Sequence, residues 1–518
     1  MKRSSFLLKI FCLPPVFFIL CTAVQAQQAG NTTPYFEDNN RIEKIKATRA
    51  IVDKMYKDHA AKNNFPAFVY GIVADGELVY SGSIGYTNVE KQIPSTSTSA
   101  FRIASMSKSF TALAILKLRD AGKITLDEPA STYIPEMRKL KYPVADAPAI
   151  TVRNLLTHSA GFPEDNPWGD RQLANTDKEL LDLIQNVSFS NVPGVAYEYS
   201  NLGFALLGKI ITNVSGKPYQ QYINENVLKP LGMNNTYWEY TKVPAEKLAL
   251  GYRWQNNQWV KEPLLHDGSY GAMGGLITTI EDFTKYMELH LRAWPPKSGK
   301  ENNIIKRSSL REMQTTGMFS GLNTRFRFPN GRPCALASVY AYGLGWTKDC
   351  DGKVWVGHSG GLPGFGSQWR IFPDYGIGVV AFANLTYAPT GTINLAVLDT
   401  IVKMANLKQM TIPITPILKQ RKDQLVNLLP DWIGAEKSGL FAENFFPDNP
   451  IDSLRKEARN LFARAGKILN AKEMIPENNL RGSFILIGEK KNIEIFFTLT
   501  PENPPLIQEY QMREISKE

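Results

Sequence analysis

Apolar residues recur at helical spacing over residues 41–63, which predicts an amphipathic helix. Residues 68–74 and 77–83 then read as two strands joined by Asp75-Gly76, a strong two-residue hairpin signal. A helix follows over 105–121, with Phe110, Leu113, Ala114 and Leu118 on one face and Gly122 ending it. Further helices fit 151–156, 201–213, 219–227 and 280–291, the last opened by Thr278 with Glu281 in a capping-box pattern. Strands return at 344–348 and 353–356 around Asp351-Gly352, and again at 369–372 and 377–383. Strands therefore open and close this region while helices fill its middle. The pattern predicts an α/β fold: an antiparallel β-sheet flanked by helices, with an inserted helical subdomain.

The pattern changes near Thr411-Ile412-Pro413-Ile414-Thr415-Pro416, which reads as an extended linker over 406–420. Beyond it, residues 450–469 carry Ile451, Leu454, Ala458, Leu461, Phe462 and Ala465 on one stripe. Strands at 483–487 and 493–499 flank a Lys490-Lys491-Asn492 turn. Residues 421–518 thus read as a small C-terminal α+β domain without a reactive constellation, and residues 27–405 as the main domain.

The first residues are of another kind. Lys2 and Arg3 precede an apolar run from Phe6 to Leu20, and Val24-Gln25-Ala26 offers small residues for cleavage. Residues 1–26 read as a secretory signal, giving an exported chain, periplasmic or secreted. A membrane anchor is the competing reading, but the run is shorter than the ~20 residues needed to span a bilayer. No stable anchor is expected after cleavage. Four cysteines then become two, Cys334 and Cys350, which in an oxidising compartment are candidates to pair.

Composition is that of an ordinary folded protein, 518 residues long, 43% hydrophobic and 21% charged. Three of its ten net positive charges, Lys2, Arg3 and Lys9, leave with the signal, and the rest are scattered. Nucleic-acid binding needs a concentrated patch, so that class is set aside. The densest basic stretch, Arg325 to Arg332, reads as a solvated loop, with a lip attracting an anionic substrate as the alternative. The five histidines show no metal-ligand spacing, and no cofactor is expected.

Three groups of residues could carry chemistry. In Ser105-Met106-Ser107-Lys108 the hydroxyl and the ammonium share a helix face, at the positive end of that helix. Lys108 could take the serine proton if burial lowered its pKa toward neutrality. Tyr199-Ser200-Asn201 stands at a loop–helix junction after Pro193-Gly194. His358-Ser359-Gly360 lies on a strand of small residues, read as an edge along which a substrate backbone can lie. Each alone is commonplace: a helix start, a packed tyrosine with a capping Ser or Asn, and a structural histidine.

Together, and in this order, they resemble the serine β-lactamase and penicillin-recognising enzymes, nearest the class C β-lactamase and DD-peptidase-like branch. Phe101-Arg102-Ile103-Ala104, Leu155-Leu156-Thr157-His158-Ser159-Ala160-Gly161, Pro230-Leu231-Gly232-Met233 and Gly271-Ala272-Met273-Gly274-Gly275-Leu276 extend the resemblance over roughly residues 40–405. It implies a serine hydrolase acting on a small-molecule or short-peptide substrate, with Ser105 acylated and Lys108 and Tyr199 handling its proton. Asn201 would hold the substrate's amide, His358, Ser359 and Gly360 would bind substrate, and the Ser105 and Gly361 N–H groups would form the oxyanion hole. Histidine stands at 358 where β-lactamases usually carry lysine. That departure resembles DD-peptidases, D-amino-acid peptidases and esterases more than dedicated β-lactamases. A charged His358 holding a carboxylate would make kcat/KM for carboxylate substrates fall from about pH 6 to 8.

Two rivals come from the residues themselves. Gly357-His358-Ser359-Gly360-Gly361 matches a Gly-x-Ser-x-Gly elbow, making Ser359 the nucleophile, but that elbow requires a helix directly afterwards. A non-catalytic sensor of penicillins or peptidoglycan fragments would use the same cleft without turnover.

Overall fold

Residues 33–301 and 303–517 are described by a computed structural model; the 1–26 segment read as a signal lies outside the described residues. They divide into two compact units, Thr33–Thr411 and Ile412–Glu518. No helix among the described residues is long and apolar enough to cross a membrane.

The first unit is built on nine antiparallel strands. These are β1 (Ala67–Ala74), β2 (Glu77–Asn88), β3 (Ile93–Pro94), β4 (Met318–Asn323), β5 (Leu336–Tyr340), β6 (Gly345–Asp349), β7 (Val354–Leu362), β8 (Phe365–Phe372) and β9 (Ile377–Ala383). Their spatial order is β3-β2-β1-β9-β8-β7-β6-β5-β4, so the first hairpin pairs with the last strand read. Strand β1 is buried along its whole length. Ala67, Val69 and Val73 join one apolar cluster, while Phe68, Tyr70, Ile72 and Ala74 join the other. A strand covered on both faces needs apolar residues at every position, which is why it reads as a continuous run.

Helices α1 (Arg41–Ala47), α2 (Arg49–Lys62) and α6 (Thr390–Met404) supply one covering layer, through residues such as Val52, Tyr56, Leu395 and Leu398. Helices α3 (Ser107–Asp120), α4 (Asn201–Ser215) and α5 (Ile280–Leu291) belong to the other. Much of that layer is a helical insertion, bracketed where Phe101–Arg102 pairs antiparallel with Ile277–Thr278. The α/β class and the inserted subdomain agree with the sequence pattern.

Local departures have local causes. The helix expected over 41–63 is broken at Thr48, whose hydroxyl donates back to the Ile45 carbonyl (2.7 Å) and also meets the Tyr80 hydroxyl (3.2 Å). Thr279, not Thr278, caps α5, accepting from the Asp282 N–H at 3.1 Å. Thr278 is held in the short strand and bonds Thr236 instead, while Glu281 accepts from Ser97. Cys334 and Cys350 are joined by a disulfide across the β5–β6 hairpin, Cα–Cα 5.5 Å.

The second unit contains helices Pro416–Leu428 and Ile451–Ala465 and a five-stranded antiparallel sheet. Phe484, Leu486, Ile493, Ile495 and Phe497 alternate inward against Leu454, Ala458 and Leu461. The stretch expected to be linker up to residue 420 is already helical from Pro416. Thr415 caps the Leu418 N–H and Pro416 occupies the first helical position, where a missing N–H costs nothing.

Candidate active site

Ser105 lies in a 3-10 turn, Ala104–Met106, that runs directly into α3. The helix expected to begin at Ser105 thus begins two residues later, after Ala104 takes a left-handed backbone conformation (φ 50°). A non-glycine residue held there is strained and persists only because its surroundings fix it. The Ser107 hydroxyl donates to the Ala104 carbonyl (2.7 Å) and accepts from the Leu276 N–H (3.1 Å). The Ser367 hydroxyl on β8 donates to the Ile103 carbonyl (2.7 Å). The turn is pinned from three sides, with Ser105 only 7% exposed.

One helical turn away, Lys108 is wholly buried. Its Nζ faces Ser105 Oγ at 3.0 Å, Asn201 Oδ1 at 2.6 Å and the Met273 carbonyl at 3.0 Å. Burial pushes its pKa down to about 7, against the opposing pull of the Asp170 and Asp165 carboxylates. A neutral amine here donates to Asn201 and Met273 and turns its lone pair to the serine hydroxyl. The Tyr199 ring stands 4.9 Å from Nζ. Burial drives its phenol well above the ordinary value, with the Ser105 side chain beside it acting in the opposite direction. Of the two groups beside Ser105, the lysine is the one poised near neutrality.

Asn201 meets protein partners at the position where the resemblance implies a substrate amide. Its amide is fully buried, with Oδ1 on Lys108 and Nδ2 donating to Asn166 Oδ1 at 2.6 Å. It holds the lysine, and both ends of its amide have a protein partner. Neither Ser200 nor Asn201 caps α4 through its side chain. Asp165 does so from a distant loop, accepting from the Asn201 (2.6 Å) and Leu202 (2.9 Å) N–H groups. The same loop packs Gly169 against Asn201, where a Cβ would come within 2.9 Å of its side chain. His158 packs tilted against Tyr199 and Tyr340 (ring centroids 4.2 and 4.3 Å), and its Nδ1 accepts from the Ser200 N–H. Asp165, Asp170 and Tyr340 carry no sequence signal, because only tertiary contacts bring them here. His158 lay within a motif, yet nothing in the chain pointed to its ring contacts.

Strand β7 is not an edge of the sheet, since it pairs with both β6 and β8. The β6 ladder ends at Gly345–Gly357, however, so residues 358–362 are unpaired on that side and the strand is an edge only there. A Cβ on Gly360 would meet the Ile103 carbonyl oxygen at 2.2 Å and Ala104 Cβ at 3.0 Å. Glycine is what lets the strand backbone lie against the serine turn, and it brings Gly361 beside it. Ser359 is exposed, in mid-strand; the chain beyond turns at Pro363-Gly364 into β8 rather than a helix. The elbow reading therefore lacks its geometry.

His358 is set in surroundings that favour its neutral form. Its Nε2 and the Tyr340 hydroxyl lie 2.8 Å apart, and its Nδ1 faces the Ser359 carbonyl, which can only accept. Burial, reinforced by the Lys108 charge, lowers its pKa to about 3. This direction runs against a charged His358 holding a carboxylate. Because no charge is lost above pH 5, the kcat/KM ratio for a carboxylate ester over its neutral counterpart should stay level from pH 5 to 8. A ratio falling between pH 6 and 8 would restore the charged role.

Comparison with known proteins follows the same lines. The family model described as Beta-lactamase matches residues 52–400. Protein flp of Staphylococcus aureus (strain MW2) is 29% identical over 378 residues, covering 72% of this chain and 70% of that protein. Beta-lactamase-like protein 2 of Dictyostelium discoideum is 28% identical over 384 residues, covering 72% and 66%. Among solved structures, the octameric penicillin-binding protein homologue from Pyrococcus abyssi superposes with a TM-score of 0.59 at 22% identity, over 90% of this chain and 96% of that one. A class C beta lactamase gives 0.55 at 23% identity, over 70% and 99%.

Proposed function

Since the chain belongs to the beta-lactamase family, we propose that it is a serine hydrolase working through an acyl-enzyme on Ser105. The observation that carries this is the buried Lys108 amine, 3.0 Å from Ser105 Oγ with a pKa brought to about 7. Neutral Lys108 takes the hydroxyl proton as Oγ bonds to an amide or ester carbonyl carbon. The resulting oxyanion lies between the Ser105 and Gly361 N–H groups. Collapse breaks the bond to the leaving amine or alcohol, which receives the proton from Lys108 by way of the Tyr199 phenol. Water then attacks the acyl ester, Lys108 again taking a proton, and Ser105 is restored.

The first substrate class is D-amino-acid-type peptides and small esters. Histidine at 358, where β-lactamases usually carry lysine, favours it, with β-lactam hydrolysis the second reading. The N-terminal signal pattern and the Cys334–Cys350 bridge support work outside the cytoplasm.

Mass spectrometry tests the central step. Incubation of the mature protein with a p-nitrophenyl ester, a fluorescent penicillin and a D-Ala-D-Ala peptide should give one acyl group, mapping to the Ser105 peptide, with continued release of product. One equivalent of product followed by silence would mean a sensor. Turnover with an adduct elsewhere, or neither adduct nor turnover, would end the proposal.

A further inference from the structure

Tyr387, in the loop between β9 and α6, is fixed at both ends. Its backbone is left-handed (φ 52°), which a non-glycine residue keeps only where its surroundings hold it. Its N–H donates to the Phe365 carbonyl at 3.1 Å and, at 3.4 Å, to that of Leu362. Its ring lies against Gly361, where a Cβ would stand 2.7 Å from a ring carbon. At the far end the phenol donates to Asp170 Oδ2 at 3.0 Å. Asp170 is 2% exposed, has no hydrogen-bond partner at Oδ1, and lies near enough to Lys108 for that charge to act on it.

These contacts run from one layer to the other. Gly360 turns to the serine turn, so Gly361 turns to the opposite face of the strand, the face from which Tyr387 rises. Asp170 belongs to the turn Gly169–Arg171 of the helical insertion, which comes against β7. The tyrosine side chain therefore passes the edge of β7 where no neighbouring strand pairs with it. A substrate chain laid along that edge meets the ring at Gly361. Toward residues 357–359 the way is open, into a cavity of about 380 Å³ bordered by Tyr199, His358, Ser359 and Arg370.

We infer that Tyr387 and Asp170 form a clasp that closes the cleft on the acyl side and restricts the hydrolase to short acyl groups. The inference rests on the acyl-enzyme reading. There the leaving group receives its proton through Tyr199, so it lies on the side of the open cavity. The acyl part is the carbonyl's other substituent and points along β7 to Gly361 and the ring. The substrate class narrows accordingly. Acetyl-type esters and amides of a single amino acid fit, with room for a large leaving group. A carboxypeptidase substrate does not, because its acyl part is the rest of the peptide.

Two ester series test it. The p-nitrophenyl esters of acetic, butyric and octanoic acid vary the acyl part, and phenyl and 2-naphthyl acetate vary the leaving group. In kcat/KM the native protein should prefer acetate over octanoate by about tenfold or more, as a closed pocket rejects added methylenes. Tyr387→Gly, a change that suits the left-handed backbone, should cut that preference about tenfold, the naphthyl-to-phenyl ratio moving less than about twofold. Tyr387→Phe, which keeps the ring and frees it from Asp170, should cut the preference part of the way, and it decides alone if circular dichroism shows Tyr387→Gly unfolded. Octanoate taken as readily as acetate by the native protein, an unchanged preference in folded Tyr387→Gly, or equal movement of both ratios would overturn the clasp. A preference kept in full by Tyr387→Phe would remove Asp170 from it. If the native protein turns over no ester at all, the hydrolase reading fails first and takes the clasp with it, a result distinct from each of these.

Discussion

Methionine in place of Lys108 should slow acylation of Ser105 by about 10³- to 10⁴-fold, the upper range for a lost general base. Methionine fills the same space but has no lone pair basic enough to accept the serine proton. Arginine is the sharper substitution. It keeps a charge near Asp165 and Asp170 but cannot deprotonate, so Lys108→Arg should be as inactive as Lys108→Met. In the native protein kcat/KM for a neutral ester should rise with pH through about 7 and level off by about 8, because the base must be unprotonated. An active Lys108→Arg variant would shift the base role to Tyr199.

The loss in Lys108→Met is not a loss of fold. Holding the amine near 7 instead of its ordinary 10.5 means that below pH 7 the buried charge disfavours the native state by roughly 4–5 kcal/mol. The unfolded chain binds the extra proton between about pH 7 and 10.5, so this penalty relaxes as pH rises through that window. Methionine removes the penalty but leaves Asn201 Oδ1 and the Met273 carbonyl without their donor, at about 1–3 kcal/mol each. The two effects nearly cancel. A thermal midpoint at pH 6 within a few degrees of the native value, beside a collapsed rate, is the expected combination.

Legibility in the sequence followed the range over which each feature is determined. The Asp75-Gly76 hairpin was plain because both residues take positive φ, 53° and 81°, which their types tolerate. Ser105 and Lys108 were plain because i,i+3 spacing alone brings them together. The α5 cap slipped by one residue, since adjacent threonines offer the same local pattern and only the Thr236 contact tells them apart. Strands β4 and β5 were missed: β4 is a largely exposed edge with a register shift, so its alternation is weak. Asn201 took its substrate role from the resemblance alone, and its contacts with Asp165 and Asn166, 36 and 35 residues away in the chain, are tertiary. Arg370 was not singled out at all. A guanidinium whose Nη1 is buried without a partner is a property of surroundings, and a sequence does not display them.

Alanine at Ser105 should abolish turnover, on the order of 10⁵- to 10⁶-fold, and remove the covalent adduct, whereas alanine at Ser359 should leave both within about tenfold. The contrast follows from what each hydroxyl faces. Ser105 Oγ lies at the mouth of a buried amine, in a turn fixed by Ser107, Leu276 and Ser367. Ser359 sits on an exposed strand position, and among the described residues no hydrogen bond joins its hydroxyl to a lysine or histidine. A serine without a base is an ordinary alcohol at neutral pH. Ser359 can still touch substrate, because it borders the cavity that holds Tyr199 and Arg370, so a modest rise in KM is compatible with its place. Circular dichroism should show both variants folded, as neither change opens more than a hydroxyl-sized gap. Turnover surviving in Ser105→Ala and lost in Ser359→Ala would reverse the assignment and make the paired lysine a structural feature of α3.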